Sequence, residues 1–241
     1  MREGVMVVGT DTGVGKTIIS AGLVTSLQDK GFDVGVMKPL ESGAPSFEST
    51  IIPTDALYLK EISGVGDDLD LINPYCFKEP LAPGVAAQRE GAEIDLQRIK
   101  ELFDELKGRH DFMVVEGVGG LLVPIGKEIL LPQLIKLLNL PLLLVARSSL
   151  GTINHTLLSL FYCVKEGLDV VGLVVNKSTS DVDPSEESNP QVIAQFTEVP
   201  LLGSFPYLGD YAGVKENREF LAQIFMQHID IKTLLHGLGM S

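Results

Sequence analysis

The chain has 241 residues, 45% of them hydrophobic and 21% charged, with a net charge of −13 and a pI near 4.7. That composition can fill the core of one α/β domain unaided, and so acidic a surface excludes general binding to nucleic-acid phosphates. The two cysteines, Cys76 and Cys163, sit among apolar neighbours with no Cys or His at metal spacing, and read as core thiols in a reducing compartment.

A strand is expected over residues 4–9, with no basic segment and long apolar run before it to suggest a secretory signal. A glycine-rich loop then leads to a helix over 16–30, with Ile18, Ile19, Leu23, Val24 and Leu27 at helical spacing and Lys30-Gly31 as its stop. Residues 32–37 read as a second buried strand that ends at Lys38-Pro39. Residues 43–53 read as a loop, and Thr54-Asp55 as the capped start of a short helix. Proline and glycine punctuate residues 71–92, which read as loop and short turns.

An amphipathic helix is expected over 94–107, then a buried strand over 112–116 with Glu116 at its C-terminal end. A helix over 129–138, a strand over 142–146, a helix over 152–165 and strands over 170–176 and 201–205 follow. The longest apolar stretch, 137–146, is interrupted by Asn139 and Pro141 and is too short to span a bilayer. A cytoplasmic protein without membrane attachment is therefore expected. Residues 178–188 read as a mobile charged loop, and two amphipathic helices from 217 onward pack on the edge. Strands alternating with helices imply right-handed βαβ units, hence a mostly parallel sheet with helices on both faces in a single P-loop NTPase-type domain.

The chemistry concentrates at strand C-termini, where open parallel sheets bind ligands. Gly9-Thr-Asp-Thr-Gly-Val-Gly-Lys16-Thr17 sits between a strand and a helix. Its glycines let backbone N–H groups turn toward phosphate oxygens, Lys16 reaches the terminal phosphates, and the Thr17 hydroxyl ligates Mg²⁺. The usual spacing has four residues between the first glycine and the Gly-Lys pair; here Gly9 makes it five. Glu116 and Asp55 are the carboxylates placed to complete a magnesium site with Thr17, because Mg²⁺ prefers few carboxylates plus phosphate and water. Lys38, closing a buried strand, is placed to face an anionic substrate or to snorkel at the sheet edge.

These residues together resemble the dethiobiotin synthetases, the ATP-dependent carboxylases of biotin synthesis. The resemblance rests on the loop at 9–17, Lys38-Pro-Leu-Glu-Ser-Gly43, Thr54-Asp55-Ala56, Asn73-Pro-Tyr75, Pro80-Leu-Ala-Pro83 and Glu116-Gly-Val-Gly-Gly-Leu-Leu-Val-Pro124. It continues through Leu150-Gly-Thr-Ile-Asn-His-Thr156, Val175-Asn176, Pro200-Leu-Leu-Gly203 and Pro206, covering roughly residues 5 to 208. The lengthened phosphate loop is itself a trait of that family. The resemblance implies conversion of 7,8-diaminononanoate, CO2 and MgATP to dethiobiotin, ADP and phosphate. A substrate amine takes up CO2 as a carbamate, ATP phosphorylates it, and the second amine closes the ureido ring.

By resemblance, Lys16, Lys38, Thr12 and Ser42 are catalytic. Gly13, Val14, Gly15, Lys16, Thr17, Glu116, Gly119, Asn176 and Pro206 hold the nucleotide, with Asn176 on the adenine edge. Thr17, Asp55 and Glu116 hold magnesium. Ser42 and the segment Gly151, Thr152, Ile153 and Asn154 bind the substrate, the latter across a homodimer; free N–H groups at a helix start suit a carboxylate tail. The sequence departs from the family pattern at Gly13, where some members carry Glu, at Val118, where Ala is frequent, and most of all after Asp210.

Two other readings compete. A partitioning-type switch ATPase of the same superfamily would carry a lysine five residues before Lys16, where this chain has Asp11, and a basic or membrane-seeking face. An amidotransferase acting on a corrin-type carboxylate would need a glutaminase cysteine, and neither Cys76 nor Cys163 has that setting.

Overall fold

The run Val5-Met-Val-Val8 lacks polar residues because both faces of its strand are covered. In the computed structural model, which describes residues 2–48, 50–209 and 217–240, Val5 and Val7 enter one hydrophobic core while Met6 and Val8 enter another. The same alternation recurs in Phe112 and Val114 against Met113 and Val115, and in Leu143 and Val145 against Leu142 and Leu144. Side chains alternate across a strand, so an unbroken apolar run marks a strand buried on both sides.

In chain order, β1 (Gly4–Gly9) leads to α1 (Lys16–Gln28), β2 (Val34–Met37) and β3 (Leu40–Ser42). Then come β4 (Ser46–Phe47), β5 (Thr50–Ile51), α2 (Thr54–Ser63), α3 (Leu69–Ile72), β6 (Tyr75–Phe77), α4 (Pro83–Arg89) and α5 (Leu96–Lys107). β7 (Phe112–Gly120), β8 (Pro124–Gly126), β9 (Ile129–Leu130), α6 (Leu131–Leu138), β10 (Leu142–Arg147) and α7 (Thr152–Glu166) follow. The remainder is β11 (Val170–Asn176), a 3₁₀ turn (Pro184–Glu186), α8 (Asn189–Ala194), β12 (Leu201–Phe205), α9 (Arg218–His228) and α10 (Ile231–Gly237).

The main sheet has six strands in the order β12-β11-β10-β1-β7-β2, and every neighbouring pair is parallel. β1 is central: β7 and β2 lie on one side, and the later strands extend from the other. That reversal of direction opens a crevice at the C-terminal ends of β1, β7 and β10. Among the described residues no helix is long and apolar enough to cross a membrane.

Several expected boundaries move, each for a local reason. Residues 43–53 contain the β4–β5 hairpin, and 71–92 contain the end of α3, all of β6 and α4. Strands of two or three residues have no readable period; β6 exists because Tyr75, Cys76 and Phe77 pair in parallel with Leu40, Glu41 and Ser42. Thr54 is not a cap but the first residue of α2, and Pro53 before it offers no side-chain cap. α5 starts at Leu96 because Asp95 accepts hydrogen bonds from the Gln97 and Arg98 N–H groups. α6 starts at Leu131 because Ile129 and Leu130 pair with β8. The 178–188 loop is pinned: Asp183 accepts from the Leu150 N–H, and Glu186 accepts from the Ser148 hydroxyl and Lys177. Residues 210–216, the start of the segment where the family pattern fades, lie outside the described residues.

Candidate active site

The loop between β1 and α1 turns on Gly13 (φ 72°) and Gly15 (φ 91°), both in the left-handed region that favours glycine. At Gly15 a Cβ would lie 2.0 Å from the Asn176 amide nitrogen, so β11 presses directly on the loop. That nitrogen donates to the Val14 carbonyl at 2.8 Å. The Val14 side chain is buried in the core. Asp11, standing where a switch ATPase carries lysine, accepts the Thr12 N–H at 2.8 Å and pairs with Arg147 at the end of β10.

Lys16 opens α1 and is buried, with its Nζ 2.8 Å from the Gly119 carbonyl and 3.4 Å from that of Asp11. Gly119 accepts this bond from a φ of 57° in the glycine run after Glu116. The Thr17 hydroxyl donates to Glu116 Oε1 at 3.0 Å. Lys38, just beyond β2, donates to the same Glu116 oxygen and, at 3.2 Å, to the Gly117 carbonyl; Asp55 Oδ2 lies 3.1 Å from it. Asn73 donates to the Lys38 carbonyl at 2.5 Å and fixes its backbone. Lys38 is therefore not a snorkelling edge residue: it is 3% exposed and points into the cluster.

The charges perturb one another in readable ways. Burial, reinforced by the neighbouring Lys38 cation, pushes Lys16 down to about 8. Burial would also lower Lys38, but Glu116 and Asp55 outweigh it and hold Lys38 above the ordinary lysine value. Burial pushes Glu116 up against the pull of Lys38, and burial together with Asp55 pushes Glu41 up. The ammonium of Lys38 is thus a fixed positive charge, and Lys16 is still mostly protonated at neutral pH.

These groups line a cavity of about 510 Å³ with Thr12, Gly13, Gly15, Ser42 and Gly119, closed on one side by Pro80–Pro83, Val118 and Val123. The size suits a nucleotide's phosphates together with a small substrate. A second cavity of about 220 Å³ is lined by Ile18, Asn176, Phe205, Pro206 and Tyr207, on the far side of the loop. Asn176 and Pro206 share this cavity, and the Asn176 amide nitrogen is already committed to the Val14 carbonyl. A third, more open cavity joins Asp11, Thr12 and Leu121–Val123 to His155 and Leu158 of α7.

The segment Gly151–Asn154 lines none of these cavities. The Thr152 side chain is buried against Thr156, Ile153 packs on the core, and Asn154 is exposed at the start of α7. The structure therefore separates these four residues from the cleft of their own chain. Conversely, the cleft contains Glu41, for which the sequence offered no role beyond its place in Lys38-Pro-Leu-Glu-Ser-Gly43.

Comparison with known proteins agrees on one family. A family model described as an AAA domain matches residues 3–215. A protein of Thermodesulfovibrio yellowstonii is 38% identical over 98% of this chain and 99% of its own length. One of Bacillus subtilis is 36% identical over 98% and 99%, and one of an Anaeromyxobacter species is 43% identical over 87% and 92%. Each of the three is named an ATP-dependent dethiobiotin synthetase. Among solved structures, the MinC:MinD cell division complex of Aquifex aeolicus aligns with TM-score 0.57 over 99% of this chain and 96% of that one, at 16% identity. The cell division ATPase MinD of Pyrococcus furiosus aligns with TM-score 0.51 over 98% and 96%, at 19% identity. These last two share the P-loop fold.

Proposed function

This chain belongs to the ATP-dependent dethiobiotin synthetases, ligases of biotin biosynthesis, and we propose that the cleft around Lys16 and Lys38 carries out each step of that reaction. The observation that carries the reading is the convergence of two buried lysines on one cavity. Lys38 bears a charge that its surroundings hold in place, and Lys16 reaches in from the phosphate loop.

The reaction joins CO2 to an amine of 7,8-diaminononanoate, phosphorylates the resulting carbamate with ATP, and closes the ring by attack of the second amine with release of phosphate. Anionic charge grows near the carbamate during phosphoryl transfer, and fixed cations aimed at it lower the barrier. In this reading Lys38 holds the carbamate, Lys16 bridges carbamate and γ-phosphate, and the Thr12 and Ser42 groups at the cavity wall donate hydrogen bonds. The loop amides from Gly13 to Thr17 cradle the phosphates, and Asn176 and Pro206 flank the base.

Thr17, Asp55 and Glu116 suit Mg²⁺. They offer hard oxygen donors to one cavity, and the buried Oε2 of Glu116 has no hydrogen-bond partner. A bound Mg²⁺ would neutralise charge on the β- and γ-phosphates.

A homodimer completes the proposal. Helix α7 carries Leu158, Phe161 and Val164 in an exposed apolar row, with Leu150 and Leu122 nearby in sequence to its start and to the open cavity. A second copy covering that row would bring the Gly151–Asn154 segment of one subunit toward the cleft of the other.

The switch-ATPase alternative is disfavoured by Asp11, which is engaged within its own chain by Arg147. Incubation with diaminononanoate, bicarbonate and MgATP should give dethiobiotin and stoichiometric ADP. ADP release indifferent to the diamine would sink the proposal.

A further inference from the structure

Helix α2 begins without a local cap. Its preceding residue is Pro53, and the N–H groups of its first turn have no partner within the helix. Glu41, on β3 and well upstream, supplies one from across the cleft. Its Oε1 accepts from the Asp55 N–H at 3.0 Å and the Thr54 hydroxyl at 3.3 Å, and its Oε2 accepts from the Ala56 N–H at 3.1 Å. The carboxylate is 4% exposed and lines the same cavity as Lys38 and Asp55.

The turn that Glu41 holds is the turn that delivers Asp55. The pairing of β3 with β6 fixes Glu41 opposite Cys76, so the cap is anchored on a strand rather than on a free loop. Both oxygens are used, one on each of two successive N–H groups, and this sets the direction as well as the depth of the first helical turn. Without the cap, Asp55 would lose its fixed approach to Lys38 and to the phosphate side of the cavity.

We infer that Glu41 is a positioning residue: it caps α2 through space and thereby places the Asp55 carboxylate for cation binding. The inference rests on the proposed role of Asp55 at the magnesium position. Groups that support a ligand from behind typically change metal affinity by roughly tenfold or more when lost.

The test is Mn²⁺ binding, followed by electron paramagnetic resonance on the full-length protein with ADP, in wild type, Glu41→Gln, Glu41→Ala and Asp55→Asn. The amide of Glu41→Gln keeps the shape but turns a donor toward one of the two N–H groups, so Mn²⁺ affinity should fall roughly tenfold. Metal-free ADP affinity should stay unchanged. A local cap introduced by Pro53→Ser into Glu41→Ala should restore part of the Mn²⁺ affinity.

Unaltered Mn²⁺ affinity in folded Glu41→Gln, beside a loss in Asp55→Asn, would overturn the positioning role alone. Unaltered affinity in Asp55→Asn would remove the cation role of Asp55 and the inference with it. A Glu41→Ala defect that Pro53→Ser leaves untouched would also count against it, since it would point to direct contact rather than capping.

Discussion

Strands β2 and β7 lie side by side and carry a charged cluster at each end, and the two clusters are built on opposite principles. At the N-terminal end, His110 Nδ1 lies 2.9 Å from Asp33 Oδ1 and Nε2 lies 2.7 Å from Asp67 Oδ2. Arg109 occupies the other Asp67 oxygen at 2.6 Å and reaches Glu105 with its second nitrogen. An imidazole facing carboxylates at both nitrogens is stabilised in its doubly protonated form, in which both nitrogens donate. Burial lowers its pKa, yet the bonds to Asp33 and Asp67 outweigh that and raise it.

At the C-terminal end nothing closes in the same way. Two lysines crowd one another, Glu116 keeps a buried oxygen without a partner, and Glu116 and Lys16 are pushed away from their ordinary pKa values. The lower cluster satisfies its donors and acceptors and so stabilises; the upper one leaves valences open and so can bind. Titration is shifted at both ends, so it is the open valences, not the shifts, that mark the working end.

The contrast predicts different consequences for substitutions at the two ends. Lys38→Ala should have the largest effect. Turnover should fall by about 10²–10³-fold or more, while nucleotide affinity by calorimetry stays within a few-fold; loss of ATP binding alone would contradict a carbamate role. Glu116→Gln should follow, with kcat reduced roughly 10–100-fold and half-maximal activity shifted to higher Mg²⁺, seen in a magnesium titration. His110→Ala, at the lower end, should leave kcat within about twofold but lower unfolding stability by about 1–3 kcal/mol, the range for charge-assisted hydrogen bonds. Urea denaturation measures this, and a matching loss of turnover would break the distinction between the ends.

The smallest effect is the pH dependence of that stability. His110 has a folded pKa above its ordinary 6.5, so its contribution is complete below about pH 6.5 and fades as pH rises through the elevated value. The gap between wild type and His110→Ala should therefore narrow on the alkaline side.

The working end was the more legible of the two. Lys16, Thr17, Lys38 and Glu116 each sit at a strand end or in a glycine run, where residue type and position announce chemistry. The parallel sheet was legible for a related reason, since runs such as Phe112–Val115 are apolar at every position. Glu41 was not, because capping α2 from β3 is a contact through space with no local spacing to betray it. Nor was the His110 cluster, whose members come from the turn before β2, the segment before α3 and the end of α5. The distance of Gly151–Asn154 from the cleft of its own chain fits the expectation, drawn from the family resemblance, that this segment acts across a dimer.

Helix α1 carries one more implication. Its residues from Lys16 to Leu27 are all buried, and the cover on one side is α9, whose Phe225 ring packs so tightly on Gly22 that a Cβ there would sit 2.3 Å from it. Arg218 of α9 also reaches back to Gln28, a partner 190 residues away in the chain. During synthesis at roughly 5–20 residues per second, α1 emerges on the order of ten seconds or more before its cover exists. A nascent chain thus holds every residue of its phosphate loop long before it can hold the loop's shape. Ribosome-stalled chains ending before α9 should leave α1 uncovered, prone to chaperone capture and unable to retain nucleotide.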